Sequence, residues 1–355
     1  MKVPFSPAAP SGSTSNALSV FNTIPPLHTM LSHLPGPIAL VPTMGALHAG
    51  HISLLRRAAI ENPTVIISIF VNPTQFAPTE DLSTYPRTLD ADLKLLNQLN
   101  FDLAQERKQG ENIAGSIKAV FAPTDHVMYP NPPTASSPGS YVTVLPISTV
   151  LEGQSRPTFF RGVTTVCMKL FHIIRPDVVY FGQKDIQQTV VIKRMVQDFC
   201  MDNYLRVRIG PTVREEPDGL ALSSRNVYLG TRRRKVATVL VNALRVAEGV
   251  FAKGSRLRED ILGAANEVIA QEQKIQSELP SHLRVLFKVD YISLADSLTL
   301  AELDDVEDGK GAIISGAIKM LPVEDVQGGE DPGFGGGMGT VRLIDNILLG
   351  AAAKI

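Results

Sequence analysis

A short apolar strand, a glycine-containing turn and a helix start follow one another between residues 38 and 59, and this unit constrains the fold most. Ile38–Val41 is a continuous apolar run, and apolar side chains with helical spacing begin at Ile52. The turn between them reads Pro-Thr-Met-Gly-Ala-Leu-His-Ala-Gly-His over residues 42–51. Glycine lets a backbone approach a ligand closely, and the free amides of a helix start attract an anion. The unit therefore predicts an α/β fold with an anion, most simply a nucleotide phosphate, bound at this turn.

His48 and His51 lie three residues apart around the predicted helix start, so both imidazoles can face the same side. An imidazole there can donate a hydrogen bond to a phosphoryl oxygen or neutralise charge that develops on it. Two histidines at this spacing are also typical of an exposed helix face, or of half a metal site. The pair alone leaves these alternatives open, and the segments that follow favour the phosphate.

Polar residues follow three further predicted strands. Val65–Val71 leads into Asn72–Phe76, where Gln75 can both donate and accept hydrogen bonds. Val178–Phe181 leads into Gly182–Gln188, where Lys184 offers a mobile cation and Gln188 lies one helical turn later. Leu205–Ile209 is the last predicted strand of the sheet, and Ser223, Ser224 and Arg225 after it can surround a triphosphate. Ligands of open parallel sheets bind at the carboxyl ends of the strands, so these segments predict one shared site.

The chain order predicts an α/β protein whose Rossmann-like parallel sheet has helices on both faces, followed by a smaller α+β domain. We expect a disordered arm over residues 1–20, the sheet domain over 21–211 and a C-terminal lid domain over 212–355. Residues 20–34 have a helical character. Polar residues 105–118 predict a surface insertion, and residues 328–339, with seven glycines, predict a flexible loop.

Composition narrows the possible functions. The net charge is −1, with 34 basic and 35 acidic residues, which gives no sign of a nucleic-acid or membrane-binding surface. Cys167 and Cys200 lack metal-type spacing and lie in apolar helical context, so they predict buried free thiols in a reducing compartment, here the cytoplasm. No apolar run is long enough to span a membrane. The first twenty residues contain one Lys and no Arg, which is not typical of a signal or transit peptide.

Four segments together resemble the pantothenate synthetase (pantoate–beta-alanine ligase) family of the nucleotidylyltransferase superfamily, whose shared signature is the His-x-Gly-His motif. Their order and spacing agree with the family over roughly residues 20–350. The segments are Pro42–His51, Phe70–Phe76, Phe181–Gln188 and Asp218–Asn226.

The resemblance implies a two-step ligation that needs ATP and magnesium. The carboxylate of (R)-pantoate attacks the α-phosphorus of ATP to give pantoyl adenylate and pyrophosphate. The amine of beta-alanine then attacks the acyl carbon to give pantothenate and AMP. By resemblance, the catalytic residues are His48, His51, Lys184 and Arg225. His51 is expected mainly to stabilise charge, because pyrophosphate is a good leaving group.

The resemblance also implies the binding residues. Gln75 and Gln188 would bind pantoate, with Gln75 also near beta-alanine, and Asp92 would help hold Mg²⁺ beside the phosphates. The ATP site would comprise Met44, Gly45, Ala46, Leu47, His48, Ala49, Gly50, His51, Gly182, Gln183, Lys184, Asp185, Val213, Leu222, Ser223, Ser224 and Arg225. The family further implies a homodimer. The balanced charge predicts small molecules, rather than nucleic acid or a membrane, as partners.

The chain departs from the family pattern in a few places. Phe159 stands where a histidine is typical, Glu216-Pro217 carries an extra residue that bears on the assignment of Val213, and the segments 105–118 and 328–339 resemble additions. Two other functions stay open at this point. A synthetase that loads RNA would need a basic surface or an appended domain. A catalytically silent nucleotide-binding protein would tolerate the loss of motif residues that are all present here.

Overall fold

The computed structural model describes residues 18–77, 82–131 and 139–350, which form two sheets. The first is parallel and six-stranded, and the second is antiparallel and three-stranded. The strands of the first are β1 (Ser19–Phe21), β2 (Ile38–Thr43), β3 (Thr64–Ile69), β4 (Ser116–Phe121), β5 (Val178–Gly182) and β6 (Arg206–Gly210). Those of the second are β7 (Phe287–Asp296), β8 (Gly311–Met320) and β9 (Val341–Gly350).

Seven helices of the described residues accompany the parallel sheet and three accompany the second sheet. The first group is α1 (Ile24–Leu31), α2 (Ala49–Glu61), α3 (Leu89–Lys108), α4 (Asp125–Met128), α5 (Glu152–Ser155), α6 (Phe159–Ile174) and α7 (Ile186–Asp198). The second group is α8 (Gly230–Ala237), α9 (Val239–Ala252) and α10 (Arg258–Glu278). None of the helices in the described ranges combines the length and the apolar character that a bilayer crossing requires.

Alternate residues of the central strands pack into two separate cores, as a sheet covered on both faces requires. Leu40 and Ile66 pack with α1, α6 and α7 on one face. Ala39 and Val65 pack with α2 and α3 on the other. The predicted α/β class, with helices on both faces and a smaller α+β unit after it, is therefore confirmed.

The strand order β1-β4-β3-β2-β5-β6 reverses direction beside β2. The chain builds outward from β2 through β3 and β4, and then places β5 and β6 on the opposite side of β2. At such a reversal the segments after the two neighbouring strands diverge and leave a crevice at the carboxyl edge. The turns after β2 and β5 therefore face one crevice. At the other, amino edge of the sheet, the Asp177 carboxylate accepts a hydrogen bond from the Ile38 amide.

The second unit has a core of its own, formed by α8, α9, α10 and the antiparallel sheet. Leu300 and Ile313 of this unit pack instead into the core on one face of the parallel sheet, so the two units share an apolar contact. The two cores agree with a division of the chain near residue 211, which stays a prediction as a domain boundary.

Two expectations differ from the structure near the start of the sheet domain. Residues 1–17 of the predicted arm lie outside the described residues, but Ser19 and Val20 form β1, which pairs with β4 at the sheet edge. The helical character expected from residue 20 begins only at Ile24. A three-residue edge strand gives too short a pattern to be told from a helix start.

The predicted surface insertion over residues 105–118 is wrong in its extent. Residues up to Lys108 form the last turns of α3, and β4 begins at Ser116. Only residues 109–115 are irregular, and the Gly115 amide donates to the Ala59 carbonyl. The segment is therefore a normal connection from helix to strand, whose polar composition reflects the exposed face of α3.

The glycine-rich segment 328–339 is irregular, as predicted, and one buried arginine attaches it to α8. Arg233 is 1% exposed and donates to the carbonyl oxygens of Gly339 (2.7 Å) and Pro332 (3.3 Å). It also donates to the carbonyls of Leu229 and Tyr228, at the end of the segment that carries Ser223–Arg225. Glycine is required at residue 333, because a Cβ there would lie 2.3 Å from the Tyr228 carbonyl oxygen.

Replacing Arg233 by Met should lower the free energy of unfolding by about 3 kcal/mol, because buried carbonyl oxygens lose their donors while the apolar stem is kept. Urea unfolding measures this. Arg194→Met is the matched control, because Arg194 pairs with Asp198 and both side chains are nearly half exposed (48% and 46%). It should change stability by no more than about 0.5 kcal/mol. Equal losses in the two variants would show that Arg233 does not anchor the segment.

Candidate active site

A cavity of about 760 Å³ lies between the carboxyl edge of the parallel sheet and the second unit. It brings together residues from all four sequence segments that were predicted to form one site. The predicted site residues that line it are Met44, His48, Gly50, His51, Gln75, Gly182, Lys184, Asp185, Gln188, Val213, Leu222, Ser223, Ser224 and Arg225. Gly45, Ala46, Leu47, Ala49, Gln183 and Asp92 were also predicted and do not line it.

His48 and His51 form a reciprocal cap at the start of α2. His48 is the N-cap residue, and its Nδ1 accepts a hydrogen bond from the Gly50 amide at 3.2 Å. Nδ1 of His51 accepts from the His48 amide at 3.3 Å. Because each Nδ1 acts as an acceptor, each neutral ring carries its proton on Nε2. The helix start thus fixes the tautomer of both rings, and both rings line the cavity.

Burial keeps these imidazoles neutral. The pKa of His51 falls to about 3, chiefly through burial and then through the neighbouring His48, whose ring centre is 4.1 Å away. The pKa of His48 is also lowered, by burial and by the positive charge of Lys184. Two neutral Nε2–H donors are therefore available at neutral pH, and the positive charge beside them belongs to Lys184.

Asp92 shapes the turn before α2. Its carboxylate is 1% exposed and accepts hydrogen bonds from the amides of Ala46 (3.1 Å) and Leu47 (2.9 Å) and from the Thr88 hydroxyl (3.3 Å). Ala46 has a left-handed backbone with φ of 49°, which these bonds help to hold. The structure thus gives Asp92 a structural role in the turn, and none of its contacts supports the predicted role at magnesium.

The amide of Gln75 is oriented by Asn72. Asn72 Nδ2 donates to Gln75 Oε1 at 3.0 Å, so the Gln75 Nε2 group points the other way, toward Met44 Sδ at 3.2 Å. Gly162 of α6 lets this turn pack closely, because a Cβ there would lie 2.4 Å from the Thr74 carbonyl oxygen. Gln75 is therefore held as a donor beside the cavity.

Lys184 and the hairpin after β6 face the same space. Lys184 Nζ lies 3.3 Å from Asp185 Oδ1, and both residues line the cavity. Across the cavity, the Leu222 amide donates to the Val213 carbonyl and Arg214 bridges to Ala221. The extra residue at Glu216-Pro217 lies at the tip of this hairpin, so it does not move Val213 away from Leu222.

Sequence reasoning missed a group of charged residues at the end of the cavity that holds Gln75. Glu152 Oε1 accepts from Arg156 Nη1 (3.0 Å) and from Arg342 Nη1 (2.8 Å). Arg156 Nη2 also donates to the Gln75 carbonyl at 3.4 Å, and its guanidinium lies 3.8 Å from the centre of the Phe159 ring. Phe159, the departure from the family pattern, therefore supports Arg156 by a cation–π contact.

A second missed feature is a set of three polar residues on β9: Arg342, Asp345 and Asn346. Asp345 and Asn346 are 5% and 1% exposed. The signal was present in the sequence, because an arginine and an Asp-Asn pair interrupt an apolar strand. Buried polar side chains need partners, so such a pair indicates contacts outside its own sheet.

His51 should make the protein less stable in mild acid. Its pKa is about 3 when folded and 6.5 when unfolded, so the unfolded chain binds more protons between these values. The stabilisation is complete above pH 6.5 and is lost as the pH falls toward 3. One such residue lowers the free energy of unfolding by about 1.4 kcal/mol from pH 7.5 to 5.5.

The measurement is urea unfolding at both pH values for the wild type and for His51→Gln, in which the amide oxygen can still accept from the His48 amide. His126→Gln, at an exposed position, is the control. The loss in acid should be smaller in His51→Gln than in the other two proteins. The same loss in all three would contradict a neutral buried His51.

Comparisons with known proteins show the family to which the chain belongs. The pantoate-beta-alanine ligase family model matches residues 19–348. A pantothenate synthetase of Roseiflexus sp. (strain RS-1) is 43% identical over 94% of this chain and 100% of its own length. The crystal structure of pantothenate synthetase from Thermus thermophilus has a TM-score of 0.70 at 35% identity and covers 93% of this chain and 99% of that chain.

A crystal structure of pantoate-beta-alanine ligase from Francisella tularensis, complexed with Beta-gamma ATP and Beta-alanine, has a TM-score of 0.64 at 31% identity. It covers 94% of this chain and 98% of that chain. The match of the family model to nearly the whole described chain decides the assignment. This chain belongs to the pantoate–beta-alanine ligase family.

Proposed function

We propose that the cavity is where this chain performs the ATP-dependent condensation of pantoate with beta-alanine through a pantoyl adenylate. The observation that carries this proposal is the convergence of four distant segments on one cavity: the turns after β2, β3 and β5, and the hairpin after β6. The resemblance seen in the sequence named these same segments, and the strand reversal beside β2 explains why they meet.

In the first step a carboxylate oxygen of pantoate attacks the α-phosphorus, and the bond from that phosphorus to the bridging oxygen breaks as pyrophosphate leaves. Negative charge grows on the phosphoryl oxygens and on the leaving group. Lys184 and Arg225 supply cations on two sides of the cavity, and the two Nε2–H groups of His48 and His51 donate neutral hydrogen bonds. With its pKa lowered to about 3, His51 is a hydrogen-bond donor rather than a proton donor at neutral pH.

Pantoate is assigned to the side of the cavity that holds Gln75 and Gln188. Arg156 and Arg342 line the cavity there with Glu152, so two cations meet one carboxylate. The group is net positive and favours an anionic substrate. In the second step the beta-alanine amine attacks the acyl carbon, the carbon–oxygen bond to AMP breaks, and the amine proton passes to solvent. The Francisella enzyme's complex with Beta-alanine supports a site for this substrate.

Magnesium fits this site as an ion held chiefly by the phosphates of ATP. Among the described residues no three His, Cys, Asp or Glu side chains lie close enough to hold a metal ion together. Magnesium typically keeps several waters and binds one or two carboxylates besides substrate phosphates. Asp185, which lines the cavity, is the carboxylate we assign to such an ion. Bound there, the ion would neutralise charge on the departing pyrophosphate.

Three expectations from the sequence stay predictions: a homodimer, a cytoplasmic location, and small molecules rather than nucleic acid as partners. The first rests on the family alone. The second rests on the free cysteines. Cys167 is buried, as predicted, but the prediction is wrong for Cys200, which lies in the turn after α7 and is exposed. The third rests on the balanced charge of the chain.

The test of the proposed function is pyrophosphate release from ATP with Mg²⁺. Pantoate alone should give a burst of about one equivalent per site, because the adenylate stays bound and is shielded from water. Adding beta-alanine should convert the burst into steady turnover with AMP and pantothenate as products. No response to pantoate in either arm would overturn the proposal.

Lys184→Ala should lower the rate of the pyrophosphate burst by about 100-fold, because a preorganised charge on the transferring phosphoryl group is lost. His51→Gln, which keeps the helix cap, should also slow the burst. Lys274→Ala, at an exposed position on α10, is the control. A wild-type burst in Lys184→Ala would remove this lysine from the mechanism.

Asp92→Asn separates the structural role of Asp92 from a role at magnesium. An asparagine turns an N–H group toward one of the Ala46 and Leu47 amides, so we expect a loss of about 2 kcal/mol in the free energy of unfolding. We also expect a slower pyrophosphate burst in this variant. Its rate should not recover when the Mg²⁺ concentration is raised far above saturation. Asp90→Asn, at an exposed position in the same helical turn, is the matched control. Recovery at high Mg²⁺ with unchanged stability would instead support a magnesium ligand.

A further inference from the structure

One side chain of the second unit is bonded to the turn that carries Lys184. Asn346 on β9 is 1% exposed, and its Nδ2 donates to the carbonyl oxygens of Gln183 (2.9 Å) and Lys184 (3.0 Å). Its Oδ1 accepts from Gln183 Nε2 at 3.2 Å. Both N–H groups and the oxygen of the Asn346 amide are therefore used on a single turn, 162 residues away in sequence from Lys184.

The residue before Asn346, Asp345, bonds to the hairpin that leads to Ser223–Arg225. Asp345 is 5% exposed and accepts from Arg214 through both carboxylate oxygens, at 2.6 and 2.9 Å. Arg214 begins the hairpin whose other strand runs into Ser223–Arg225. Asp345 Oδ1 also accepts a hydrogen bond from the backbone N–H of Asn346 at 2.8 Å. Two adjacent residues of β9 thus bond to the two segments that carry Lys184 and Arg225.

We propose that Asn346 is a positioning residue for adenylate formation. It holds the backbone of Lys184 in place so that the ammonium group of this lysine meets the transferring phosphoryl group. This inference rests on the proposed function of Lys184. A lysine has a long flexible side chain, so its charge stabilises a transition state best where its backbone is held in place. The Gln183–Asp185 turn is short and ends where α7 begins. The Asn346 amide supplies the bonds that hold the carbonyls of this turn from the second unit.

Asn346→Asp tests whether the burst rate depends on hydrogen-bond donation by the Asn346 side chain rather than on its packing. Aspartate has nearly the same shape, but it presents oxygen to the carbonyl oxygens of Gln183 and Lys184. The burst rate should fall by about 100-fold, the scale that a misplacement of about 1 Å produces. Asn346→Ala removes the bonds without adding a charge and covers the case in which the Asp variant does not fold.

Asn100 provides the matched control. Its Nδ2 donates to the Ile117 carbonyl and its Oδ1 accepts from the Ile117 amide, both at 2.9 Å, so it also pairs one side chain with one backbone segment. It does not line the cavity. Asn100→Ala should lower thermal stability in the manner of Asn346→Ala and leave the burst rate unchanged. A burst rate lowered equally in both variants would identify a general stability effect and overturn the inference.

A double-mutant cycle distinguishes positioning of Lys184 from general loosening of the cavity. If Asn346 acts through Lys184, Asn346→Ala should slow the burst in the wild-type background and have little further effect in the Lys184→Ala background. Single-turnover experiments with enzyme in excess measure the burst rate in each background. If the burst of the double variant is slowed by the product of the fold-changes in the two single variants, the inference is overturned.

The cycle also separates this inference from the proposed function. A wild-type burst in Lys184→Ala would refute the assignment of Lys184 itself. A slow burst in Lys184→Ala, together with a wild-type burst in Asn346→Ala, would refute only the positioning role of Asn346. A slow burst in both single variants without further slowing in the double variant is the result that supports both.

Discussion

The reversal of strand order beside β2 is the constraint on which the site depends. Because β3 and β5 lie on opposite sides of β2, the turns that follow these strands leave the carboxyl edge in different directions and open a crevice between them. The turn with the two histidines, the turn with Gln75 and the turn with Lys184 occupy that edge. Their side chains could not meet in a sheet built outward from β2 in one direction only.

Within the crevice, hydrogen bonding at the start of α2 determines what the histidines can do. A cap that uses both Nδ1 atoms as acceptors leaves each neutral ring as an Nε2–H donor. Burial and the charge of Lys184 lower the pKa of both rings, and the neighbouring His48 lowers that of His51 as well. The two kinds of residue therefore contribute different interactions. Lys184 and Arg225 carry positive charge, while the histidines donate short-range, directional hydrogen bonds. Protonated histidines beside Lys184 would repel one another and loosen the cap that positions them.

Local sequence patterns were sufficient for the strands that end at the site, because apolar runs followed by glycine, asparagine or glutamine identified them. Asp92 shows where this reasoning stops, since an acidic residue in the first turn of a helix is compatible with a dipole contact, a metal ligand or a structural acceptor. Only the positions of the Ala46 and Leu47 amides, 46 and 45 residues earlier in the chain, favour the last of these roles. Asn346 likewise gains its role from a turn more than 150 positions away, which no spacing along the chain specifies. The partners of Arg233 are backbone carbonyls, which every residue has, so no pattern of side chains could reveal them.

These contacts also bear on how a lid could close over the site. Through Arg342, β9 is bonded to Glu152, and Glu152 to Arg156, which reaches the Gln75 carbonyl. Through Asn346 the same strand is bonded to the turn of Lys184 on the other side of the cavity. A closing movement that separated β9 from the parallel sheet would leave buried charges and amides without partners, at a cost of several kcal/mol. Any closure of the second unit therefore has to keep β9 in place and move the parts of that unit remote from it.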